Sequence, residues 1–286
     1  MPSSSSAAEH STRLRAMSAV LKIAKSSSYR LVLASSRMSA GSGATVWVWR
    51  CLGVAAVKHN SPGARAQTAC GVLAGPLFVG AFTAIVAKRA GYDWRAHAVS
   101  SLACGREGWL QRANFVLTGV LCSCAARGIA RCPRQSTGPR LMPALLGAAG
   151  AGLIGSGIFV TDPVGGFPPA APDENGSSQE PGAAASPSLE GTLHNLCAIP
   201  IFAGIPVAGL ASALAAARRK DYGWACYSAV SSLSMAGSFL LFGAACSERV
   251  PRLLRKGGIF QRISIAAGFG WLSALSLRCL SSAPRP

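Results

Sequence analysis

Three side chains of the kind that bind metals or move protons stand beside apolar runs: His97, Asp162 and His194. Two imidazoles and a carboxylate can hold a catalytic zinc and leave a fourth position for water. Ser100 and Ser101 follow His97 closely, and a hydroxyl there would serve as a nucleophile or as a donor to an oxyanion. On this reading the catalytic set is Ser100, Ser101, Asp162 and His194, and the metal set is His97, Asp162 and His194. Arg95 and Asn114 are the candidate ligand-binding groups, with Arg95 also a competing ion-pair partner for Asp162.

Each of these residues has a plainer role beside the chemical one. Asp162 precedes Pro163 and would start a turn. His194, following Thr192 as an N-cap, would be an interfacial polar residue at the start of a helix. His97 and the serine pair would satisfy the backbone of a short interfacial segment. The sequence has no HExxH, GxSxG or P-loop to decide between the readings.

The elements that must position these residues are apolar. Of 286 residues, 50% are hydrophobic and only 13% charged, against about 25% charged in soluble domains. Mean hydropathy is +0.35. Such a composition excludes a disordered chain, a collagen, a coiled coil and an ordinary cytosolic enzyme. It leaves an all-α polytopic membrane protein.

Crossing the hydrocarbon core takes about 20 apolar residues in a helix. Six runs meet that need, at about residues 69–87, 113–130, 141–161, 192–217, 222–247 and 259–280. None alternates with period 2, so a barrel is excluded and a six-helix bundle is expected over 69–280. Arg127, Arg262 and Arg278 lie near the ends of runs, where long side chains reach the interface. Gly147, Ala151 and Gly155 fall four apart, as do Gly204, Ala208 and Ser212. Both sets read as packing seams that let helix backbones approach. Pro76, Pro143, Pro200 and Pro206 are of a kind that membrane helices tolerate, and are read as neither pore nor hinge.

The formal charge of +18 would suggest nucleic acid in a soluble protein. Here the basic residues flank apolar runs, no C2H2 or RNP motif is present, and nucleic acid is not expected as a partner. The ten cysteines include no CxxC pair, and most sit in apolar runs as small hydrophobes. Arg131, Arg134 and Arg140 follow the second span, and Arg218, Arg219 and Lys220 follow the fourth. The positive-inside rule places these loops and both ends of the bundle inside. Residues 162–190 hold five acids and no Lys or Arg, and so fall outside. Arg249, Arg252, Arg255 and Lys256 disagree with that orientation.

Residues 1–65 form a separate region with nine Lys or Arg against Glu9 as the sole acid, and with abundant serine. This composition fits a transit peptide for plastid or mitochondrion, a basic disordered tail, or an interfacial helix on anionic lipid. The acidic stretch 170–190 is expected to be disordered, since it has little to bury.

With six helices, loops 88–112 and 162–190 share one side of the membrane and gather the polar residues. There the sequence resembles a known family. His97-Ala98-Val99-Ser100-Ser101-Leu102, then Gly108-Trp109, Asn114-Phe115 and Gly119, precede Gly157-Ile158-Phe159, Asp162-Pro163, Pro168-Pro169 and His194. In that order these pieces are similar to the polytopic membrane proteins grouped as domain of unknown function 998. The likeness covers about residues 69–280. It implies a six-helix bundle and brings no established activity. The N-terminal region lies outside it, and residues 173–188 look like an insert.

Three classes of function follow. The first is a carrier or binder of a small molecule or lipid, with a polar pocket on one membrane face. The second is a membrane-embedded hydrolase acting on a lipid, with zinc as the conceivable cofactor. The third is a structural or assembly protein held by small-residue faces. The lipid bilayer is the one partner common to all three, and the oligomeric state is not legible.

Overall fold

Helices dominate because lipid offers the backbone no alternative partner, and their ends are set by local caps. The computed structural model describes residues 61–132, 141–164, 166–169, 187–247, 250, 253 and 255–281. The expected N-terminal tail falls almost wholly outside the described residues, as does most of the acidic insert.

Seven α-helices occur among the described residues: α1 (Pro62–Val86), α2 (Trp109–Ile129), α3 (Leu141–Ile158), α4 (Leu189–Phe202), α5 (Gly204–Arg218), α6 (Tyr222–Cys246) and α7 (Gly257–Ser281). Helix α1 starts before the apolar run does, because Ser61 accepts the Ala64 N–H and Pro62 supplies the fixed φ suited to a first turn. Asp221 caps α6 through the Trp224 N–H and also pairs with Arg278 of α7. The Arg278 guanidinium lies 4.8 Å over the Trp224 ring, so one cluster ties the start of α6 to the end of α7.

The expected fourth span is broken. Helices α4 and α5 together are 30 residues long and apolar enough to cross a membrane, but the helix is interrupted at Ala203. Pro206 explains the position. It has no N–H for the Phe202 carbonyl four residues back, and its ring crowds that carbonyl. An interruption there was not expected from the sequence, where the prolines read as tolerated.

Five segments are long and apolar enough to span: α1, α3, α4 with α5, α6 and α7. Helix α2 has 21 residues, roughly 30 Å at the helical rise, and buries Gln111, Asn114 and Thr118. It occupies the place of the sixth span. The chain is an all-helical, multi-pass integral membrane protein.

The helices pack in a closed ring: α1 on α2, α2 on α3, α3 on α4 and α5, α5 on α6, α6 on α7, and α7 back on α1. Small residues set the approach. A Cβ on Gly119 of α2 would lie 2.6 Å from the Gly150 carbonyl of α3, and one on Gly150 would lie 2.8 Å from the Gly119 carbonyl. Only glycine fits at either site. The seam of α3 against α2 therefore runs through Gly150 and Gly157, while of the expected Gly147, Ala151 and Gly155 row Gly155 packs closely on Cys197 of α4 and Ala151 is exposed. The Gly204, Ala208 and Ser212 row of α5 is buried as expected.

Candidate functional site

The site forms where the α1–α2, α3–α4 and α6–α7 connections meet, at one end of the ring. The α1–α2 loop does not dangle. Its short 3-10 turn at Ser100–Ala103 is wholly buried, and the Ser101 hydroxyl and the Cys104 thiol reach the carbonyls of Val164 (3.5 Å) and Thr161 (3.3 Å) in the α3–α4 connection. Burial pushes the Cys104 thiol up to about 11, against the opposing pull of Arg89. Arg89 binds Glu107 at 2.8 Å and the Cys104 carbonyl at 2.6 Å.

The start of α7 fixes this loop from the other side. The Val99 N–H donates to Gln261 Oε1 at 2.6 Å. Arg262 donates to the carbonyls of Trp94 (2.7 Å), Gly258 (2.9 Å) and His97 (3.2 Å), and to the Tyr92 hydroxyl (2.9 Å). Its guanidinium also lies over the rings of Phe82 and Tyr92. Sequence reasoning placed Arg262 at a span end and missed this role. The signal was present in the adjacent Gln261 and Arg262, two strong hydrogen-bonding residues inside an apolar run.

His97 belongs to this loop structure. Its ring stacks on Phe167 at 5.1 Å, and its Nδ1 accepts the Asp93 N–H at 2.9 Å. An Nδ1 that accepts carries no proton. Burial accordingly lowers the His97 pKa, with Asp93 opposing and Arg262 reinforcing the shift.

Asp162 has a simpler task than the sequence suggested. Helix α3 ends at Ile158, so the Asp162 carboxylate is carried to the start of α4. There it accepts the Ser188 N–H at 3.0 Å, and it packs so closely on Gly191 that a Cβ would collide with it. A carboxylate is stabilised at a helix N-terminus, so no cation is needed to compensate it. Ser188 itself caps α4 by accepting the Gly191 N–H at 2.9 Å. The C-terminal limit of the expected disordered insert is therefore an ordered helix cap.

The remaining candidates separate. Arg95 is exposed, with its guanidinium 5.3 Å over the Trp94 ring, and it forms no ion pair with Asp162. Asn114 is buried and donates to the Phe78 carbonyl at 3.1 Å, binding α2 to α1. Ser101 is fully buried and faces Val164. Ser100 and His194 do come together, on the wall of one cavity. Among the described residues no group of three His, Cys, Asp or Glu side chains is placed to hold a metal ion. His97, Asp162 and His194 are thus not assembled as a metal set, because His97 and Asp162 are each engaged by backbone N–H groups of their own surroundings.

The cavity has a volume of about 230 Å³. Its polar lining residues are Ser100, Ser156, Thr161, His194, Asn195 and Gln261, and its apolar ones include Phe78, Phe115, Phe202, Phe239, Phe242 and Phe269. Sequence reasoning found Ser100 and His194, and missed Ser156, Gln261 and the phenylalanines. His194 Nδ1 lies 3.0 Å from the Phe159 carbonyl. A carbonyl only accepts, so Nδ1 is the donor and Nε2 of the neutral ring is left as an acceptor. The buried Ser156 hydroxyl, in a residue 1% exposed, has no hydrogen-bond partner. Buried polar groups without partners are uncommon and costly.

The lining elements are α1, the Ser100 turn, α2, α3, the α3–α4 connection, α4, α6 and α7. The interruption at Ala203 divides two sets of packing partners. Helix α5 packs along α6, whereas α4 lies along α3 and barely touches α6. Phe202 and Phe239 stack across that gap at 3.9 Å. Beyond the pair, Asn195 and Cys246 line the cavity and are exposed.

No curated protein and no solved structure matches the chain. A family model does, over residues 72–278, which overlaps every membrane-spanning segment and takes in the connections that form the site. The chain belongs to the family described as "Protein of unknown function (DUF998)".

Proposed function

We propose that this membrane protein binds a small amphipathic molecule in the cavity at the loop end of its bundle. The carrying observation is the make-up of the cavity lining: six residues able to hydrogen-bond, Ser100, Ser156, Thr161, His194, Asn195 and Gln261, together with six phenylalanines. Concave, mostly apolar sites with a few convergent polar groups are the usual form of a ligand site. The unpartnered Ser156 hydroxyl beside the His194 acceptor supports the same reading. Hydrolysis receives no such support, because Ser101 and Asp162 are committed to the loop and to the start of α4.

On this reading the cavity end lies on the opposite side of the membrane from Arg131 and the Arg218–Arg219–Lys220 run. The basic region 1–65 would act as a targeting or anchoring segment rather than as part of the site.

Mass spectrometry of the purified protein, released from its detergent or nanodisc, tests the proposal. An amphiphile retained at a fixed ratio is the expected result. Ala198→Phe places a ring in the cavity from a half-buried wall position and should abolish retention while leaving the protein monodisperse. Equal retention by that variant would defeat the reading.

A further inference from the structure

We infer that the occupant is a single-chain lipid with an uncharged polar head, admitted sideways from the bilayer through the gap between α4 and α6. This rests on the binding reading above and gives it a ligand class and a route.

The uncharged head follows from the wall. Among the described residues that line the cavity, none is Asp, Glu, Lys or Arg. Asp162, next in sequence to the lining Thr161, is directed to the start of α4 and its Ser188 N–H. Arg262, next to the lining Gln261, is spent on loop carbonyls and Tyr92. What remains is a neutral assortment: hydroxyls from Ser100, Ser156 and Thr161, an imidazole acceptor from His194, and amides from Asn195 and Gln261. Gln261 uses its oxygen on the Val99 N–H, leaving amide N–H donors. A charged head would lose its hydration with no opposite charge to replace it, which costs far more than burying a hydroxyl or ester. Mixed donors and acceptors suit a hydroxyl, ester or amide head.

The single chain follows from size and opening. A volume of about 230 Å³ is below the roughly 300–1,000 Å³ of sites that engulf a drug-sized ligand. The cavity therefore takes a head and the first part of a chain, and the rest must lie outside. The gap between α4 and α6 gives it a path. Asn195 and Cys246 are exposed there, and the Phe202–Phe239 pair closes its lower edge. The flanking helix faces are lipid-facing: Leu196 and Ile199 of α4 and Leu240 of α6 are all exposed apolar side chains. On the loop side, the Ser100 turn and the α3–α4 connection cover the cavity, pinned together by Ser101 and Cys104. The open direction is toward lipid, and Cys246 stands in it as a natural reporter.

The experiment uses the full chain in phosphatidylcholine nanodiscs and three probes of equal chain length: a monoacylglycerol, a fatty acid held ionised, and an alkylamine held protonated. Bound probe is counted by native mass spectrometry. Alkylation of each cysteine by a membrane-permeant maleimide is mapped by peptide, with Cys226, exposed elsewhere on α6, as the internal control. The monoacylglycerol should bind at least about tenfold better than either ion, given that an uncompensated buried charge costs more than one hydrogen bond. It should slow alkylation of Cys246 and leave Cys226 unchanged. Asn195→Leu, at an exposed position, should weaken it by roughly fivefold, the worth of about one hydrogen bond. Equal or preferred binding of an ionised probe overturns the neutral-head assignment while the binding reading stands. Binding without protection of Cys246 overturns the lateral route. No retention of any probe, with Ala198→Phe no different from the natural chain, removes the binding reading and this inference with it.

Discussion

At the residue scale the loop end is held by groups whose protonation matters. His97 accepts the Asp93 N–H through Nδ1 while stacked on Phe167, and its pKa is lowered by burial. The unfolded imidazole titrates near 6.5. A folded pKa below the unfolded one means the unfolded chain takes up the proton first, so stability is full above about pH 6.5 and falls as the pH drops below it. Thermal unfolding in nanodiscs between about pH 5 and 8 should show that loss, and His97→Phe should flatten the profile. Asp93 and Arg262 face the ring with opposing effects, so Arg262→Gln should narrow the pH effect while loosening the loop. At Ser188, replacement by alanine removes the α4 cap and should cost about 1 kcal/mol, read as a lower melting midpoint. Ser100 and His194 were legible in the sequence, as polar residues beside apolar runs. Asp162 was misread because α3 ends at Ile158 rather than at Thr161, which moves the carboxylate from the wrong end of one helix to the right end of the next.

At the scale of elements, the spans were readable from their composition, since lipid demands long low-charge runs whatever the packing. The partners of each helix were not. Gly119 and Gly150 become a contact only once α2 and α3 are side by side, and nothing in either run marks which glycine row is the seam. Gly119→Val should lower stability by about 1–3 kcal/mol, because the added methyls meet backbone rather than a yielding side chain; the melting midpoint is the measurement. Gly147→Val on the facing helix α3, where a Cβ meets only the Ala126 methyl at 3.9 Å, should be nearly neutral. Pro206 is the reverse case, visible in the sequence but with an unforeseen effect. Pro206→Leu restores an N–H for Phe202 and should make the span continuous. The expected outcome is equal or higher thermal stability with less retained amphiphile, and unchanged retention would separate the interruption from the cavity.

At the scale of the whole molecule, six crossings put the α1–α2, α3–α4 and α6–α7 connections at one end of the ring and the α5–α6 turn at the other. Cysteine placed at Glu107 and at Lys220, in a background without the exposed Cys226 and Cys246, should react with an impermeant maleimide from opposite sides of the membrane. Reaction from one side would contradict the crossing number. The cavity was the least legible feature at this scale. Its lining comes from eight separate parts of the chain, and no local pattern assembles Phe78 with Phe239 and Gln261.

The ring closes by packing its last helix against its first, and this has a consequence for synthesis. Helices emerge from the ribosome in order, so α1 waits with a bare flank until α7 has been made. Gln261 and Arg262, which clamp the loop at Val99, Trp94 and His97, arrive with it. The cover over the cavity is therefore completed only once α7, the helix that closes the ring, has been made. A nascent protein stalled before Gly257 would carry an open groove to the bilayer, recognisable to quality-control machinery as unfinished. Arrival of α7 closes the ring and clamps the loop over the cavity in one event.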